Sequence, residues 1–435
     1  MKHWVATLSA IGLLSCGGNT PSTPPEPSAP PASNTPRTPA PTPSTPNLPT
    51  PSEAPPTGSS SAYLSQPFLR ELTEALAMDT LEGRDEGTDA SSEARALIIQ
   101  ELQRCGVAPG NGESFEQRIT TGAGTNILGE IRGTDPVLRD RYLIISAHYD
   151  HLGADGEAIY NGANDNAAGV AVMIGMACQL AETPLRRSVL IGGWDAEEPP
   201  TFLTDMMGSE FYAANPVVPL ENTEAVVVMD LIGADLWPGY NGHLVLGAET
   251  SPEIEAALKT TNAQGNLEAM RIGEYVVGQS WSDYDGFKRR GVPFAFFTNG
   301  QNAEYHTEND VPSSLNYPKM ELQARYMADM VDALDSNPAK PQFMPERRTH
   351  LNDLRTVERI VESALADGGL TDQLGFGGSL FIRGLRRDLD DTREWITRIE
   401  GGGSSEGVEE FLQGIAINVM CLARARNSPA LCLFI

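Results

Sequence analysis

The sequence predicts an α/β protein with a single, mainly parallel mixed sheet flanked by helices, together with a disordered N-terminal linker and a helical C-terminal extension. Two observations lead to this prediction. Apolar runs of strand length alternate with segments of helical periodicity between residues 125 and 334. Four of these runs also end next to a histidine or an acidic residue. Because the carboxyl ends of parallel strands lie at one edge of a sheet, we expect those side chains to meet there.

The four strands are predicted from the apolar runs themselves. The first, residues 142–147, stops at His148, and a Gly/Asn-rich loop then leads to Asp165 and a helix. The other three cover residues 188–194, 225–229 and 292–297, and they lead to the pair Glu197 and Glu198, to Asp230, and to a loop with Tyr305 and His306. An alternating segment at 125–133 is predicted to pair with the strand at 142–147.

Composition restricts the classes of partner. The chain has 435 residues and a net charge of −27, which argues against nucleic acid or anionic lipid as a ligand. Its five cysteines are too few for a disulfide framework. Cys178 lies in an apolar helical segment and is predicted to be a buried free thiol. Cys421 and Cys432 could pair in an oxidising compartment, which the sequence leaves open.

The N-terminus predicts export. Residues 1–15 have a basic start and a short apolar stretch, and the Leu-Leu-Ser-Cys that ends at Cys16 resembles the lipobox of bacterial lipoproteins. The resemblance implies a membrane-anchored protein of the cell envelope with a lipid on Cys16, and an ordinary secretory signal is the alternative. Residues 16–62 are rich in Pro, Ser and Thr and are predicted to be a disordered tether.

Beyond the linker we predict a catalytic domain at 63–337 and a helical region at 338–435. A proline-rich stretch at 337–345 separates the two. Helical patterns follow at 354–366, 380–399 and 408–425, in a region that carries no recognisable site and could be a small domain or a packing appendage. Within the catalytic domain, residues 199–207 lack periodicity and are predicted to form a loop over the site.

The residues at the strand ends form a candidate metal set, which comprises His148, Asp165, Glu198, Asp230 and His306. Two imidazoles and three carboxylates suit zinc, and two zinc ions that share one bridging carboxylate would use all five. Asp165 is the natural bridge, because it lies at a tight turn between the other loops. Glu197 is then free to act as general base toward an activated water. Asp150 would hydrogen-bond the far nitrogen of His148.

These motifs resemble the zinc aminopeptidase family that includes bacterial leucyl aminopeptidase and glutamate carboxypeptidase. The resemblance rests on His-Tyr-Asp at 148–150, Gly-Ala-Asn-Asp-Asn-Ala-Ala-Gly at 162–169, Glu-Glu at 197–198, Met-Asp at 229–230 and His-Thr at 306–307. It implies a two-zinc exopeptidase that acts on peptides, with one zinc on His148, Asp165 and Asp230 and the other on Asp165, Glu198 and His306. It also implies a cis peptide between Asp165 and Asn166. Tyr305 is predicted to help stabilise the oxyanion.

Three alternatives remain open. A glutaminyl cyclase shares this fold and uses one zinc, and residues 230–234 resemble it. A non-catalytic surface binding protein would be expected to have lost a ligand, and none is lost here. A carboxypeptidase acting on acidic C-termini would require a basic pocket, and basic residues are sparse near these motifs.

Overall fold

The computed structural model describes residues 60–262, 264–374, 378–426 and 432. The predicted signal peptide, Cys16 and all but the last three residues of the predicted linker lie outside the described residues. None of the described helices is both long and apolar enough to cross a membrane.

Strands and helices alternate as the periodicity predicts. The strands are β1 (Ala108–Pro109), β2 (Glu116–Arg118), β3 (Thr125–Ile131), β4 (Tyr142–His148), β5 (Ala154–Asp155), β6 (Ala158–Ile159), β7 (Ser188–Trp194), β8 (Thr223–Met229), β9 (Gly242–Leu246), β10 (Glu268–Arg271) and β11 (Phe294–Thr298). The helices are α1 (Gln66–Leu76), α2 (Asp89–Arg104), α3 (Ala168–Glu182), α4 (Gly208–Ala214), α5 (Pro252–Thr260), α6 (Asp285–Lys288), α7 (Tyr317–Ser336), α8 (His350–Leu365), α9 (Leu370–Gln373), α10 (Gly378–Glu400) and α11 (Val408–Arg424).

Nine of the described strands form one mixed sheet in the order β1-β3-β7-β4-β8-β11-β9-β10, with β2 paired to β3. The four central strands β7, β4, β8 and β11 are parallel, which confirms the predicted sheet type. The predicted pairing of β3 with β4 is wrong, because β7 lies between them, parallel to β4 and antiparallel to β3. The crossover connection from β4 through α3 places β7 on the side of β4 that β3 is predicted to occupy.

The two faces of the sheet bury separate cores, because successive side chains of a strand point to opposite faces. Leu143 and Ile145 of β4 pack in the core that contains α1, α2, α3, α5 and α7. Ile144, between them, packs on the opposite face with Val226 and Phe294. Helices α8, α10 and α11 contribute to this second core. Helices α8, α10 and α11, which all follow residue 338, therefore pack as a layer on one face of the sheet.

Two disulfides join described residues. Cys105 follows α2 and bonds to Cys178 of α3, with the Cα atoms 4.9 Å apart. The prediction of a free thiol at Cys178 is therefore wrong, because the packing of α2 on α3 brings a partner 73 residues away into bonding range. Cys421 of α11 bonds to Cys432.

Candidate metal centre

The carboxyl ends of the central strands bring the predicted residues to one edge of the sheet. His148 is the last residue of β4, Glu197 and Glu198 follow β7, and Asp230 follows β8. His306 lies on the loop after β11 and adopts a left-handed φ of 56°. Among these residues His148 is fully buried, and the three carboxylates are each 5 % exposed. The direction of the parallel strands accounts for this convergence.

Asp165 is placed by a turn whose backbone is held from outside. Both carboxylate oxygens of Asp310 accept from this turn, from the N–H of Asn164 at 2.7 Å and from that of Asp165 at 3.0 Å. The Asp165–Asn166 peptide is cis, as predicted. Gly162 enters the turn at a φ of 54°, and a Cβ there would lie 2.2 Å from the carbonyl oxygen of Asp165. Glycine at this position is therefore required by space as well as by conformation.

One half of the site surrounds His148. Its Nε2 lies 3.3 Å from Asp165 Oδ1 and 3.4 Å from Asp230 Oδ1. The nearer oxygen of Glu197 is 3.8 Å away. The other half surrounds His306, whose Nε2 lies 3.2 Å from Asp165 Oδ2 and 3.1 Å from Glu198 Oε2. The two oxygens of Asp165 thus face opposite imidazoles, which is the arrangement of a bridging carboxylate.

These separations fit a metal ion. Ligand atoms bound tetrahedrally to zinc at about 2.0–2.1 Å lie about 3.3 Å from one another. The buried atoms His148 Nε2, Asp230 Oδ1 and His306 Nε2 have no hydrogen-bond partner among the described residues. Unpartnered buried polar atoms are costly in the interior of a protein, and a cation in each half of the site would satisfy them.

The electrostatics indicate an excess of negative charge. Burial alone would lower the pKa of His306, but Asp165 and Glu198 outweigh that effect and raise it to about 10. Burial would raise the pKa of Asp165, yet the adjacent imidazoles of His148 and His306 hold it well below its usual value. Both shifts have the same origin, because several carboxylates share few positive charges. A divalent cation would balance them.

The adjacent glutamates point in different directions. Glu198 faces His306, whereas Glu197 lies on the His148 side of the site. Burial raises the pKa of Glu197 well above its usual value, and the neighbouring Asp230 raises it further, although His148 opposes both. A carboxylate with a raised pKa that is not needed for the bridge is suited to carry a proton.

Asp150 contacts both sides of the centre. Its Oδ1 lies 3.5 Å from His148 Nδ1, on the side predicted, which is longer than a normal hydrogen bond. Its Oδ2 accepts the backbone N–H of Glu198 at 3.0 Å. Asp150 therefore connects the strand end that carries His148 to the loop that carries the glutamates.

Three residues that support the site were not among the predicted ones. His151 Nδ1 lies 2.7 Å from Glu198 Oε1 and 3.9 Å from Asp165 Oδ2. The first distance is that of a hydrogen bond, so His151 orients Glu198, and it is His306 Nε2 that lies closer to Asp165 Oδ2, at 3.2 Å. Asp310 and the buried Arg84 are the other two. The sequence signal for His151 was the His-Tyr-Asp-His run at 148–151, and that for Asp310 was an acidic residue four positions after His306.

A cavity of about 320 Å³ opens beside the metal-site residues. Its inner end is acidic, and its walls are apolar side chains of the sheet and of helices α8 and α11. Pro199 and Phe202 line it, which places the predicted loop at 199–207 beside the site. Tyr305 also lines it, with its ring stacked on His306 at 3.8 Å between centroids.

The fold and the site together define a metallohydrolase. Residues 126–331 match the profile of the family described as peptidase family M28. A curated relative is the uncharacterised protein YfbL of Escherichia coli, which is 27 % identical over 229 residues, or 46 % of this chain and 68 % of that protein. The matching segment contains every predicted metal ligand.

Solved structures share the fold. A Zn-dependent exopeptidase from Parabacteroides distasonis has a TM-score of 0.50 at 17 % identity, covering 62 % of this chain and 98 % of its own. The LapA aminopeptidase of Legionella pneumophila has a TM-score of 0.51 at 16 % identity, covering 64 % and 74 %. A glutaminyl cyclase of Porphyromonas gingivalis has a TM-score of 0.50 at 20 % identity, covering 63 % and 99 %. The match to the family model confirms the predicted resemblance, and it identifies residues 126–331 as similar to a metallopeptidase domain.

Proposed function

We propose that the site holds two zinc ions and removes N-terminal residues from peptides, with Glu197 as the general base. The observation that carries the proposal is the position of Asp165, whose two carboxylate oxygens each lie 3.2–3.3 Å from a different imidazole. A single ion would need only one of those oxygens. The ligands are then His148, Asp165 and Asp230 for one ion, and Asp165, Glu198 and His306 for the other.

Zinc, when bound, supplies Lewis acidity that polarises a carbonyl and lowers the pKa of water to about 7. The residues of the chain itself transfer the proton and orient the metal ligands. Glu197 lines the cavity next to the ligands, so its carboxylate can take a proton from the attacking water and return it to the leaving amine. His151 and Asp150 hold Glu198 through its side chain and its backbone N–H.

The charge of the cleft supports action at the amino terminus. Glu197 is the one carboxylate at its inner end that is not assigned to a zinc ion, and its oxygens can accept from an α-ammonium group. The apolar walls beside them suit the side chain of the terminal residue. Tyr305 adjoins a ligand and reaches the same cavity, so we propose that it donates to the oxyanion of the tetrahedral intermediate.

We also propose that the protein is exported and anchored by a lipid on Cys16. The sequence at 1–16 supports this, and the disulfides Cys105–Cys178 and Cys421–Cys432 agree with an oxidising compartment. Mass spectrometry of the mature protein tests it, since an unmodified N-terminus beyond Cys16 would exclude the anchor.

The catalytic proposal is tested by comparing Glu197→Gln with Glu198→Gln on a leucyl-chromophore substrate. Glu197→Gln keeps the shape of the side chain but removes the base, so kcat should fall by roughly 10²–10⁴ with zinc content unchanged. Glu198→Gln should instead lower zinc occupancy, and added zinc should restore part of the activity. Chelation of the wild type should abolish activity, and zinc alone should restore it.

Metal analysis and a second substrate separate the alternatives. Two zinc ions per chain are expected, together with no cyclisation of a glutamine-headed peptide. One ion per chain with cyclisation would identify a glutaminyl cyclase instead. Zinc loss in Glu197→Gln with full occupancy in Glu198→Gln would reverse the two roles. Tyr305→Phe should lower kcat by about 10²-fold, and a change within twofold would remove Tyr305 from the oxyanion site.

A further inference from the structure

We propose that helix α11 completes the substrate cleft and that Arg424, at its end, binds the free α-carboxylate of short peptides. Di- and tripeptides with a free C-terminus would then be the preferred substrates. This inference rests on the proposed aminopeptidase activity and names its substrate class. It assigns a recognition role to a region whose sequence carries no recognisable site.

Helix α11 forms one wall of the cleft along its length. Ile415, Val419 and Met420 line the cavity on successive turns, and Arg424 follows one turn later. Ile415 and Val419 are 3 % and 4 % exposed, whereas Arg424 is exposed. The helix therefore runs from the apolar interior of the cleft to its mouth, where it presents a guanidinium group.

The guanidinium lies close to the metal-site residues. Arg424 Nη1 donates to Gln301 Oε1 at 3.2 Å, and the guanidinium carbon lies 4.9 Å from the centre of the Tyr305 ring. The Tyr305 ring in turn stacks on that of the ligand His306. One aromatic ring thus separates the cation from a predicted ligand. An extended residue spans about 3.3–3.6 Å, so one or two residues beyond the scissile bond would bring a C-terminal carboxylate to Arg424.

Arg424 has the bonding capacity for such a ligand. Within the part of the chain that the structure describes, it forms no ion pair, whereas its neighbour Arg426 is paired with Glu304 at 2.5 Å. A guanidinium has five N–H donors in a planar fork that matches a carboxylate. Only one of these donors is engaged by a described partner, Gln301.

The charges of the cleft match a zwitterion. Asp165, Glu197, Glu198 and Asp230 lie at one end, and Arg424 is the only lysine or arginine among the described residues that line it. A short peptide carries an α-ammonium group at one end and an α-carboxylate at the other. With Asp165, Glu198 and Asp230 assigned to zinc, Glu197 and Arg424 complement these two charges in the same cleft. An acidic side chain as the partner of Arg424 is disfavoured, because the pocket for side chains is apolar.

The test compares leucyl dipeptides and tripeptides with their C-terminal amides, using release of leucine by the zinc-loaded full-length enzyme. The wild type should show higher kcat/KM for the free acids than for the amides. In Arg424→Gln the ratio of acid to amide should fall by about tenfold, as expected for one charge-assisted pair near the surface. Arg424→Glu should lower the ratio further. Arg426→Gln is the matched control, because it removes the other arginine contact to the same loop without lining the cleft, and it should keep the wild-type ratio.

Each other outcome overturns the inference. Equal rates for acids and amides in the wild type would exclude carboxylate recognition. A parallel loss on both substrates in Arg424→Gln would show that Arg424 only positions the Tyr305–His306 loop. A change confined to substrates with an N-terminal glutamate would assign Arg424 to an acidic side chain. Hydrolysis of none of the peptides by the wild type would instead contradict the proposed aminopeptidase activity itself.

Discussion

Arg84 is predicted to be the most sensitive single position outside the metal ligands. Its side chain is 1 % exposed, and its guanidinium donates to four backbone carbonyls. These are the carbonyls of Leu76 at 2.6 Å, Asn161 at 2.7 Å, Tyr149 at 2.8 Å and Gly162 at 3.0 Å. Arg84 thereby joins helix α1 to the loop after His148 and to the turn that carries Asp165. Burial lowers the pKa of Arg84 only to about 10, so the group stays charged at neutral pH.

The expected loss of stability on replacing Arg84 follows from the number of buried carbonyls that would be left without a hydrogen-bond donor. Hydrogen bonds to a charged group contribute about 1.5–3 kcal/mol each, and a buried polar group without a partner costs about 1–3 kcal/mol. The four contacts share one side chain and are not additive, so we expect Arg84→Met to lower the free energy of unfolding by about 4 kcal/mol or more. The total free energy of unfolding of a natural domain is only about 5–15 kcal/mol. Arg84→Lys keeps the positive charge but not the planar fork of N–H donors. Its free energy of unfolding should therefore still be lowered by more than half of the amount expected for Arg84→Met.

Urea unfolding at pH 7 measures the change, with zinc content and kcat determined on the same samples. Zinc affinity should fall with stability, because two of the four carbonyls flank the turn that presents Asp165. Arg118→Met is the control, since Arg118 is exposed on β2 and the same substitution there should shift the free energy of unfolding by about 0.5 kcal/mol or less. If Arg84→Met proved as mild as Arg118→Met, the carbonyl argument would be refuted.

Two further predictions concern stability. Burial raises the pKa of Glu249 to about 7 in the folded protein, whereas the carboxyl of the unfolded chain releases its proton near pH 4.5. The folded state therefore loses stability relative to the unfolded state as the pH rises from 4.5 to 7, because the buried carboxyl must then ionise. Between pH 4.5 and 8 the wild type should therefore lose up to about 3 kcal/mol more than Glu249→Gln, measured by urea unfolding, and parallel pH profiles would contradict this. Cys105 and Cys178 are 73 residues apart and Cys421 and Cys432 only 11, so loop-closure entropy predicts a loss of about 4 kcal/mol for the double alanine variant of the first pair and about 3 kcal/mol for the second. A larger loss of stability for the second pair in the same urea titration would show that loop-closure entropy does not determine which disulfide contributes more.

The sequence alone determined the type of sheet and the edge at which the site lies. Apolar runs of strand length that alternate with helices imply parallel strands, and parallel strands place their carboxyl ends together. For this reason His148, Glu197, Glu198 and Asp230 could be predicted to converge from local pattern and chain direction. The motifs around Asp165 and His306 added the loop residues, which no periodicity specifies.

Only the tertiary structure decided which distant segments pack together. Sequence periodicity indicates which face of a helix or strand is buried, but it does not indicate which other element packs against that face. For this reason the sequence pattern predicts the wrong neighbour for β3 and gives no partner for Cys178. It also does not connect Arg424 with a site more than a hundred residues earlier in the chain. His151 was missed for a related reason, because the direction of a loop side chain depends on the groups that fold around it, here Glu198.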